Sequence, residues 1–532
     1  MLRPSYSLAL SCAIALCAVP AALADSRQNT TGAREQTILQ IQQLIENHDL
    51  AQANRRLMEA AKQFPGDAGF DNLQGVIAAQ QGDYESAETS FHQAVKRSPK
   101  FTGAYLNLGR LYQEHSASDP QAQHKAIDIY RRVLEYEPAN TEANYQSAVL
   151  SLQTGAYQNS LDHVERLSGN VRSSSQTLSI VCADYAALGN RKAADSGAAQ
   201  LATNPDFSEA DVQQALPGLI VGKREDLIIS LLETLQKHQA LFPEMMRTLG
   251  LAYERAGKLI EARAALEKSI TKEDLSVALL LELTRVAHKQ RDYQGALGYL
   301  AHARDLEPKN AKLHYYFGLV CVDLNLVAEA RNSFEKAVQL EPENAAYNYA
   351  MGATSAFRHD PAEAVPYFEK YLKLKPGDPR AKLALGDAYY RAKDYDAAAP
   401  WLREAAKAPE TAASAHYYLG SIALQERRLD EAYGELEQAL KAKPDYADAV
   451  AELGQYYLTR KEYANAEKQI RSALTLEPDH FSANFYLLTL YTRTGDARRE
   501  EQAKRWAELQ RLRDEKTQEY LRIVEVRPYD TP

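Results

Sequence analysis

Five glycines in the second half of the chain lie at a constant spacing of 34 residues: Gly318, Gly352, Gly386, Gly420 and Gly454. Five alanines follow at the same period, each twelve residues after a glycine: Ala330, Ala364, Ala398, Ala432 and Ala466. A fixed period of this length constrains the fold strongly, because each repeat must form one unit that buries its apolar face against its neighbours.

The residues between these markers predict a helix-turn-helix unit. Their apolar side chains recur at helical rather than alternating spacing. Prolines at 308, 342, 376, 409, 444 and 478 keep nearly the same period, and each is predicted to end a second helix because proline cannot continue a helix interior. Polar residues predicted to cap first helices are Asn140, Asn310, Asn344 and Asp378, and those predicted to cap second helices are Asp83, Asp292, Asp360 and Asp394.

These features resemble the tetratricopeptide repeat (TPR), which has small residues at positions 8, 20 and 27 and proline at position 32. The unit that begins at Ala311 shows the pattern with Gly318, Ala330, Ala337 and Pro342. Eleven units match, beginning near Ala68, Thr102, Thr141, Pro243, Val277, Ala311, Ala345, Pro379, Ala413, Ala447 and Phe481. The resemblance implies antiparallel helix pairs stacked into a right-handed superhelix, with an interaction surface rather than a catalytic centre.

The sequence therefore predicts an all-α, right-handed superhelical solenoid of about 13–14 helix-turn-helix repeats with a C-terminal capping helix. Residues 25–167 form an N-terminal array and 243–495 a regular C-terminal array. Between them, in residues 168–242, the pattern fades into degenerate repeats or a hinge, and we favour degenerate repeats. The charged segment within 496–532 is predicted to cap the last repeat, because solenoid ends must cover an exposed core. A dimerising coiled coil is the alternative for it.

Residues 1–24 have the features of a secretory signal peptide. Arg3 supplies a positive start, residues 8–19 are apolar, and Ala22-Leu23-Ala24 offers a small-residue cleavage site. The apolar stretch is too short to span a bilayer as a helix, and the setting of its two cysteines disfavours lipid attachment. We expect an exported protein, periplasmic or secreted, without a transmembrane segment.

Composition and motifs favour neither nucleic-acid binding nor catalysis. The chain has 62 Lys and Arg against 71 Asp and Glu, a net charge of −9, which argues against a phosphate backbone as the main partner. The TPR resemblance places Cys321 at a core position and His314 and His416 three repeats apart, and Cys182 lies several repeats from Cys321. No zinc-protease, CxxC or P-loop motif occurs. We predict no enzyme activity, no cofactor and no metal.

The TPR resemblance places the binding surface on the first helix of each pair, at positions 2, 5, 9 and 12. We call these residues of the C-terminal array the first-helix stripe: Tyr315, Leu319, Tyr349, Asp387, Tyr390, Tyr417, Ser421, Gln455 and Phe485. The chain has 32 tyrosines against 12 phenylalanines, and tyrosine combines apolar area with a hydroxyl. The alternative is that these rings pack between repeats and meet no partner.

The predicted function is non-catalytic binding of a peptide segment or helix of a partner protein in a Tyr-lined concave groove. One alternative is an assembly scaffold of an envelope or polysaccharide-export complex, associated peripherally with it. A regulatory arm of an enzyme is less favoured, because repeats fill nearly the whole mature chain. The asparagine that a carboxylate clamp needs at position 9 is missing from every repeat, so that mode is not predicted. The partner, the process and the oligomeric state are left open by the sequence.

Overall fold

The computed structural model describes residues 27–115, 119, 121–271, 275–357 and 361–515. Within these residues it contains 29 helices and no strand, which confirms the predicted all-α repeat architecture. The predicted signal peptide, the cap Asp360 and the tail from residue 516 lie outside the described residues. The chain divides between Ser269 and Ile270 into two compact units, the N-terminal unit and the C-terminal unit.

The N-terminal unit contains helices α1 to α15. Their bounds are α1 Arg27–Glu46, α2 Leu50–Gln63, α3 Ala68–Gln80, α4 Tyr84–Arg97, α5 Thr102–Glu114, α6 Ala122–Tyr136, α7 Thr141–Gln153, α8 Tyr157–Glu165, α9 Gly169–Arg172, α10 Ser175–Ala187, α11 Arg191–Ala202, α12 Glu209–Val221, α13 Glu225–Gln236, α14 Pro243–Arg255 and α15 Leu259–Lys268. Apart from the single turn of α9, successive helices pack in pairs.

The C-terminal unit contains helices α16 to α29. Their bounds are α16 Val277–Lys289, α17 Tyr293–Leu306, α18 Ala311–Asp323, α19 Val327–Leu340, α20 Ala345–Phe357, α21 Pro361–Leu374, α22 Pro379–Arg391, α23 Tyr395–Ala405, α24 Pro409–Gln425, α25 Leu429–Ala442, α26 Ala447–Thr459, α27 Tyr463–Leu476, α28 Phe481–Thr494 and α29 Arg499–Glu515. Ten of the eleven predicted repeat starts coincide with the first residue of a helix.

The exception is α24, which begins at Pro409 rather than near Ala413. The sequence assigned Pro409 to the end of a second helix, and this was wrong: α23 ends at Ala405 and Pro409 is the first residue of α24. Proline suits that position because its φ is already helical and its missing N–H would have no intrahelical partner there. The Thr411 hydroxyl donates to the Ala405 carbonyl at 2.5 Å and ties the two helices together.

In seven repeats a glycine of the first helix lies against a large side chain sixteen residues later on the second helix. In α18 and α19 this pair is Gly318 and Phe334; a Cβ on the glycine would lie 2.5 Å from the fully buried ring. The unit at Thr102 keeps the contact with a longer turn, because Gly109 meets Tyr130, 21 residues on. Burying such a ring contributes about 1.5–3 kcal/mol. The glycine period therefore reflects a close contact between the two helices of these pairs.

Helix caps predicted from the sequence are confirmed wherever they lie in the described residues. At first helices, Asn140 accepts from the N–H of Ala143 at 2.9 Å and Asp378 from that of Arg380 at 2.9 Å. The remaining predicted caps accept equivalent backbone bonds: Asn310, Asn344, Asp83, Asp292 and Asp394. These side chains satisfy N–H groups that have no partner within the helix.

Apart from the α5–α6 and α20–α21 turns, which are not fully described, the turns inside the regular pairs each use one left-handed residue at the same repeat position. In the N-terminal unit that residue is glycine at four turns, for example Gly257 with φ 78°. In the C-terminal unit the position is occupied by Arg291, Asn325, Lys393, Arg427 and Lys461, all with φ between 59° and 63°. A non-glycine residue in this region costs about 1 kcal/mol, so the packing of the two helices dictates the turn.

Residues 168–242 fold as the short helix α9 followed by the pairs α10–α11 and α12–α13. Pro217 lies inside α12, which continues to Val221. Here the first helices α10 and α12 approach each other directly: a Cβ on Gly218 would lie 2.6 Å from the carbonyl carbon of Ala183, and one on Gly222 would lie 2.5 Å from that of Ala186. The glycines of this segment thus accommodate a neighbouring helix backbone rather than a large side chain.

The last described helix, α29, packs on α28. Gln502 donates to the side-chain oxygen of Asn484 at 2.9 Å, and the Trp506 ring lies 5.4 Å from that of Phe485. Leu509 is buried. The segment predicted as a cap therefore covers the first helix of the final pair.

Candidate functional site

The nine residues of the first-helix stripe all lie in the C-terminal unit, with unequal exposure. Five of them are buried: Tyr315, Leu319, Tyr349, Asp387 and Ser421. Tyr390, Tyr417 and Gln455 are half-buried, and Phe485 is 43% exposed. Accessible surface is therefore concentrated in the second half of the stripe, on α22, α24, α26 and α28. The role of all nine as partner contacts stays a prediction.

Tyr315 and Tyr349 are buried in packing contacts, which was the alternative to contact with a partner. The Tyr315 ring lies 4.9 Å from that of Tyr347 in the next repeat and 5.8 Å from that of Phe334. The Tyr349 ring lies 5.1 Å from that of Tyr371 on α21. Both tyrosines belong to one apolar core. The Tyr315 ring contacts the next repeat, whereas the Tyr349 ring packs on the second helix of its own repeat.

Four tyrosine rings form a continuous row in the second half of the stripe. The Tyr390 ring of α22 lies 5.1 Å from that of Tyr418, which lies 5.0 Å from that of Tyr417 on the same helix. Tyr417 in turn lies 5.4 Å from Tyr446, just before α26. Aromatic pairs at such distances are worth about 0.5–1.5 kcal/mol beyond their buried area. The row is therefore rigid while Tyr390 and Tyr417 keep part of their surface exposed.

A carboxyl group lies near this row and acts on the rings of Tyr390 and Tyr417. Glu452 of α26 is 8% exposed and accepts a hydrogen bond from the Tyr486 hydroxyl of α28 at 2.7 Å. Burial raises the pKa of Glu452 to about 7; Tyr486 opposes the shift and Asp448 adds to it. Burial, followed by the charge of Glu452, holds the pKa of Tyr417 well above its ordinary value. At neutral pH this tyrosine is a neutral donor beside a titrating carboxyl.

A second carboxylate, Asp387, also lies near this row and is paired with a cation. The Nε of Arg391 donates to Oδ1 of the buried Asp387 at 2.9 Å, and Arg391 also interacts with Tyr418. The other oxygen of Asp387 is buried without a hydrogen-bond partner in the described structure, as is the hydroxyl of Ser421 one repeat on. Tyr390 interacts with both side chains.

Asp448 is a second acidic residue close to Glu452. Its Oδ1 lies 3.0 Å from Nε2 of His480, the residue before α28. The other ring nitrogen of His480 accepts the backbone N–H of Ala483 at 3.1 Å. Because that nitrogen accepts, the proton of the neutral ring is on Nε2, which donates to Asp448. His480 is thus held by a helix cap and a carboxylate.

The sequence missed Glu452, Asp448 and the Tyr486 hydroxyl as parts of this surface. Positions 2, 5, 9 and 12 were taken from the family pattern, whereas Glu452 and Tyr486 occupy position 6. A signal was available, because position 6 is Tyr or Ala in the other repeats from Ala311 onward. A single carboxylate at a position otherwise filled by rings or methyl groups is unusual for a packing residue.

The two cysteines among the described residues, Cys182 and Cys321, are buried. Burial raises the pKa of Cys321 to about 11 and that of Cys182 to about 12, so both stay protonated and unreactive at neutral pH. Both cysteines are free. In the part of the chain that the structure describes, no group of three or more His, Cys, Asp or Glu is placed to hold a metal ion. None of the described helices has the length and hydropathy needed to cross a bilayer.

Comparison with protein families decides the class. Two family models, both described as tetratricopeptide repeat, match residues 39–100, 72–115, 281–349 and 349–413 in one case and 423–490 in the other. Together they cover just over half of the 532 residues. This chain belongs to the tetratricopeptide-repeat family. Its fold is accordingly a TPR solenoid, and TPR proteins are protein–protein interaction modules.

Similar curated proteins include the BBSome complex member BBS4 of Bos taurus, 23% identical over 281 residues. That match covers 53% of this chain and 46% of the relative. The Drosophila melanogaster BBS4 homolog is 25% identical over 263 residues, covering 49% of this chain and 45% of the relative. The chain thus spans a little under half the length of the curated relatives it matches.

Solved structures with similarity include the APC/C hetero-tetramer Cut9-Hcn1, at 12% identity over 86% of this chain and 96% of that one, with a TM-score of 0.35. Another is YrrB, described as a TPR protein with an unusual peptide-binding site. It is 23% identical over 35% of this chain and 95% of its own, with a TM-score of 0.30. At these TM-scores neither structure adds to the family match.

Proposed function

We propose that this TPR protein binds an extended segment or a helix of a partner along the first-helix stripe of its C-terminal unit, without catalysing a reaction. The supporting observation is the row of tyrosine rings with partly exposed Tyr390 and Tyr417, followed by Gln455 and the exposed Phe485. Successive first helices present this surface at a fixed spacing. A partner segment would therefore meet aromatic and polar groups in alternation.

The physical argument is pre-organisation. The rings are already ordered by their contacts with one another, so binding does not have to immobilise them, and less free energy is lost to ordering. Tyrosine has few rotatable bonds and offers both an apolar face and a hydroxyl. A surface of this kind recognises a peptide through side-chain contacts spread over several repeats.

An assembly scaffold in an envelope or polysaccharide-export complex is the second candidate. It is favoured by apolar side chains exposed away from the stripe, on the N-terminal unit: Phe242 is 72% and Ile260 is 78% exposed. This candidate requires an exported protein, and the support for export is the signal peptide predicted at residues 1–24. A scaffold of this kind would be contacted on those exposed faces, so the two proposals predict different contact residues.

Affinity capture with matched variants tests the first proposal. The full chain, a stripe variant carrying Gln455→Ala and Phe485→Ala, and a control Tyr84→Ala are each used as bait in an extract of the cells that make the protein. Tyr84 lies on α4 of the N-terminal unit, and its exposed fraction of 42% is nearly that of Phe485. Circular dichroism checks that the helical content of all three is the same.

The expected result is a partner captured equally by the parent and the control and at least about tenfold less by the stripe variant, because losing a contact of about 1.4 kcal/mol lowers affinity tenfold. Equal capture by all three would contradict binding on the stripe. It would direct attention to the exposed faces of the scaffold candidate.

A further inference from the structure

We propose that Glu452, Asp448, Tyr390, Tyr417 and Tyr486 together form a subsite for one cationic side chain, a lysine or arginine of the partner segment. The inference rests on the proposed function, since the side chain would belong to the segment bound along the stripe. It specifies which kind of partner side chain the stripe would recognise near Glu452.

The residues combine the two groups that hold cations in proteins. Glu452 supplies a carboxyl group that is engaged by the Tyr486 hydroxyl at 2.7 Å, and Asp448 interacts electrostatically with it. Tyr390, Tyr417 and Tyr486 all interact electrostatically with Glu452. A cation over a tyrosine ring gains about 0.5–2 kcal/mol, and carboxylate bonds add more.

Among the described residues, no lysine or arginine is paired with Glu452 or Asp448. In the described structure, the hydrogen-bond partner of Glu452 is Tyr486 and that of Asp448 is the neutral ring of His480. Buried carboxylates are normally paired with a cation, because an isolated one is costly to bury. The site therefore has acceptors for a positive group that the described residues do not provide.

The same row of rings shows what such a site holds when it is filled. Near the same row Asp387 binds Arg391 of its own helix, beside Tyr418. The position equivalent to Arg391 two repeats later, in α26, is Thr459, which cannot supply a charge. Near Tyr390, the second oxygen of Asp387 and the Ser421 hydroxyl are buried without hydrogen-bond partners in the described residues. These two atoms are acceptors that an incoming guanidinium or ammonium group could engage.

The protonation of Glu452 agrees with an unfilled cation site. Burial raises its pKa to about 7, with Asp448 adding to the shift. A cation bound beside it stabilises the ionised form, so binding releases a proton. The affinity for a cationic side chain is accordingly expected to rise as the pH increases through 7. The groups that face Glu452 are Tyr486, Tyr390, Tyr417, Asp448 and His480.

Saturation-transfer NMR tests this with defined probes. The full chain is titrated with the peptide acetyl-Gly-Gly-Lys-Gly-Gly-amide and with the same peptide carrying an acetylated lysine side chain. Two protein variants accompany it. Glu452→Gln keeps an acceptor for Tyr486 and removes the charge. Asp396→Asn removes one charge from the exposed surface of α23 and controls for net charge.

The expected result is saturation of the lysine methylene signals by the parent and by Asp396→Asn, with at least about tenfold weaker binding to Glu452→Gln, since a hydrogen bond to a charged group is worth about 1.5–3 kcal/mol. The acetylated peptide should give no comparable signal. Equal binding of the lysine peptide to Glu452→Gln and Asp396→Asn would overturn the subsite, as would equal binding of the two peptides. A lysine peptide that binds through Glu452 while the stripe variant captures its partner normally would refute the proposed function and leave the subsite standing.

Discussion

The regular repeats of the C-terminal unit and the segment 168–242 use glycine for different contacts. In the regular repeats a glycine such as Gly318 receives the ring or branched side chain of its own second helix, Phe334 in that case. In α12, Gly218 and Gly222 instead receive the backbone of α10 at Ala183 and Ala186. One contact lies within a helix pair, and the other joins two successive first helices.

This difference explains why the regular repeats show a recognisable pattern in the sequence and the segment 168–242 does not. A contact inside a pair recurs in seven repeats, so it produces the 34-residue period and the sixteen-residue spacing from glycine to partner. A contact between two particular first helices occurs once and needs only small residues on both sides. The same residue type is thus periodic in one region and apparently random in the other.

The largest effect that separates the two regions is expected from Gly218→Ala. The added methyl group would meet the Ala183 carbonyl group, which is backbone and cannot rotate away. We expect a loss of about 3 kcal/mol or more, at the upper end for overpacking. Hydrogen exchange measured by mass spectrometry should show lost protection in both α10 and α12.

Gly352→Ala is the matched control in a regular repeat. There the new methyl group would lie 3.0 Å from the Phe368 ring, which can shift slightly, and alanine gains about 1 kcal/mol of helix propensity over glycine. Protection in α20 and α21 should change by less than about 1 kcal/mol. If the two variants lost protection equally, the proposed distinction between backbone and side-chain contacts would be wrong.

A smaller effect is expected in the pH dependence of local stability. Each region contains a buried carboxyl group whose pKa burial raises to about 7: Asp184 of α10 and Glu452 of α26. Glu452 has Tyr486 as a donor. Both oxygens of Asp184 lack a hydrogen bond in the described structure, because the nearby Ser160 hydroxyl donates to the Ala148 carbonyl at 2.9 Å.

The sign follows from proton binding. Between the unfolded pKa, about 4, and about 7, the folded chain keeps a proton that the unfolded chain has lost, so stability falls as pH rises. The slope is at most about 1.4 kcal/mol per pH unit for each group, and the loss levels off above pH 7. Opening free energies from hydrogen exchange, corrected for intrinsic rates, measure it region by region.

Asp184→Asn should remove the slope in α10 and leave that of α26, and Glu452→Gln should do the reverse. Each variant thereby serves as the control for the other. A slope that persists in the region of the substituted residue would show that another group titrates there.

Much of the fold could be predicted because its determinants are local and periodic. The helix starts, the caps such as Asn140 and Asp378, and the glycine positions follow from single repeats and were confirmed. The start of α24 was missed because Pro409 serves equally well after one helix or at the beginning of the next. The α10–α12 contact was missed because its two halves lie 35 residues apart in a segment without period.

The candidate site was harder to predict than the fold. Repeat position indicates which helix face a residue occupies but not how closely the next repeat covers it. Tyr315 is buried by Tyr347 and Phe334, whereas Tyr417, at the same repeat position, keeps part of its surface exposed. The pairing of Glu452 with Tyr486 spans 34 residues and depends on the side chains of two repeats. Contacts of this kind are seen only in the folded structure.

Site-specific photo-crosslinking tests the central claim, that a partner binds along the first-helix stripe, most directly. Benzoyl-phenylalanine is placed at Phe485 on the stripe and, in separate chains, at the exposed Tyr84 and Ile260 off the stripe. A single partner crosslinked from position 485 and from neither of the others is the predicted result. A partner crosslinked from 84 or 260 but not from 485 would contradict the claim and favour a scaffold contacted on its other faces.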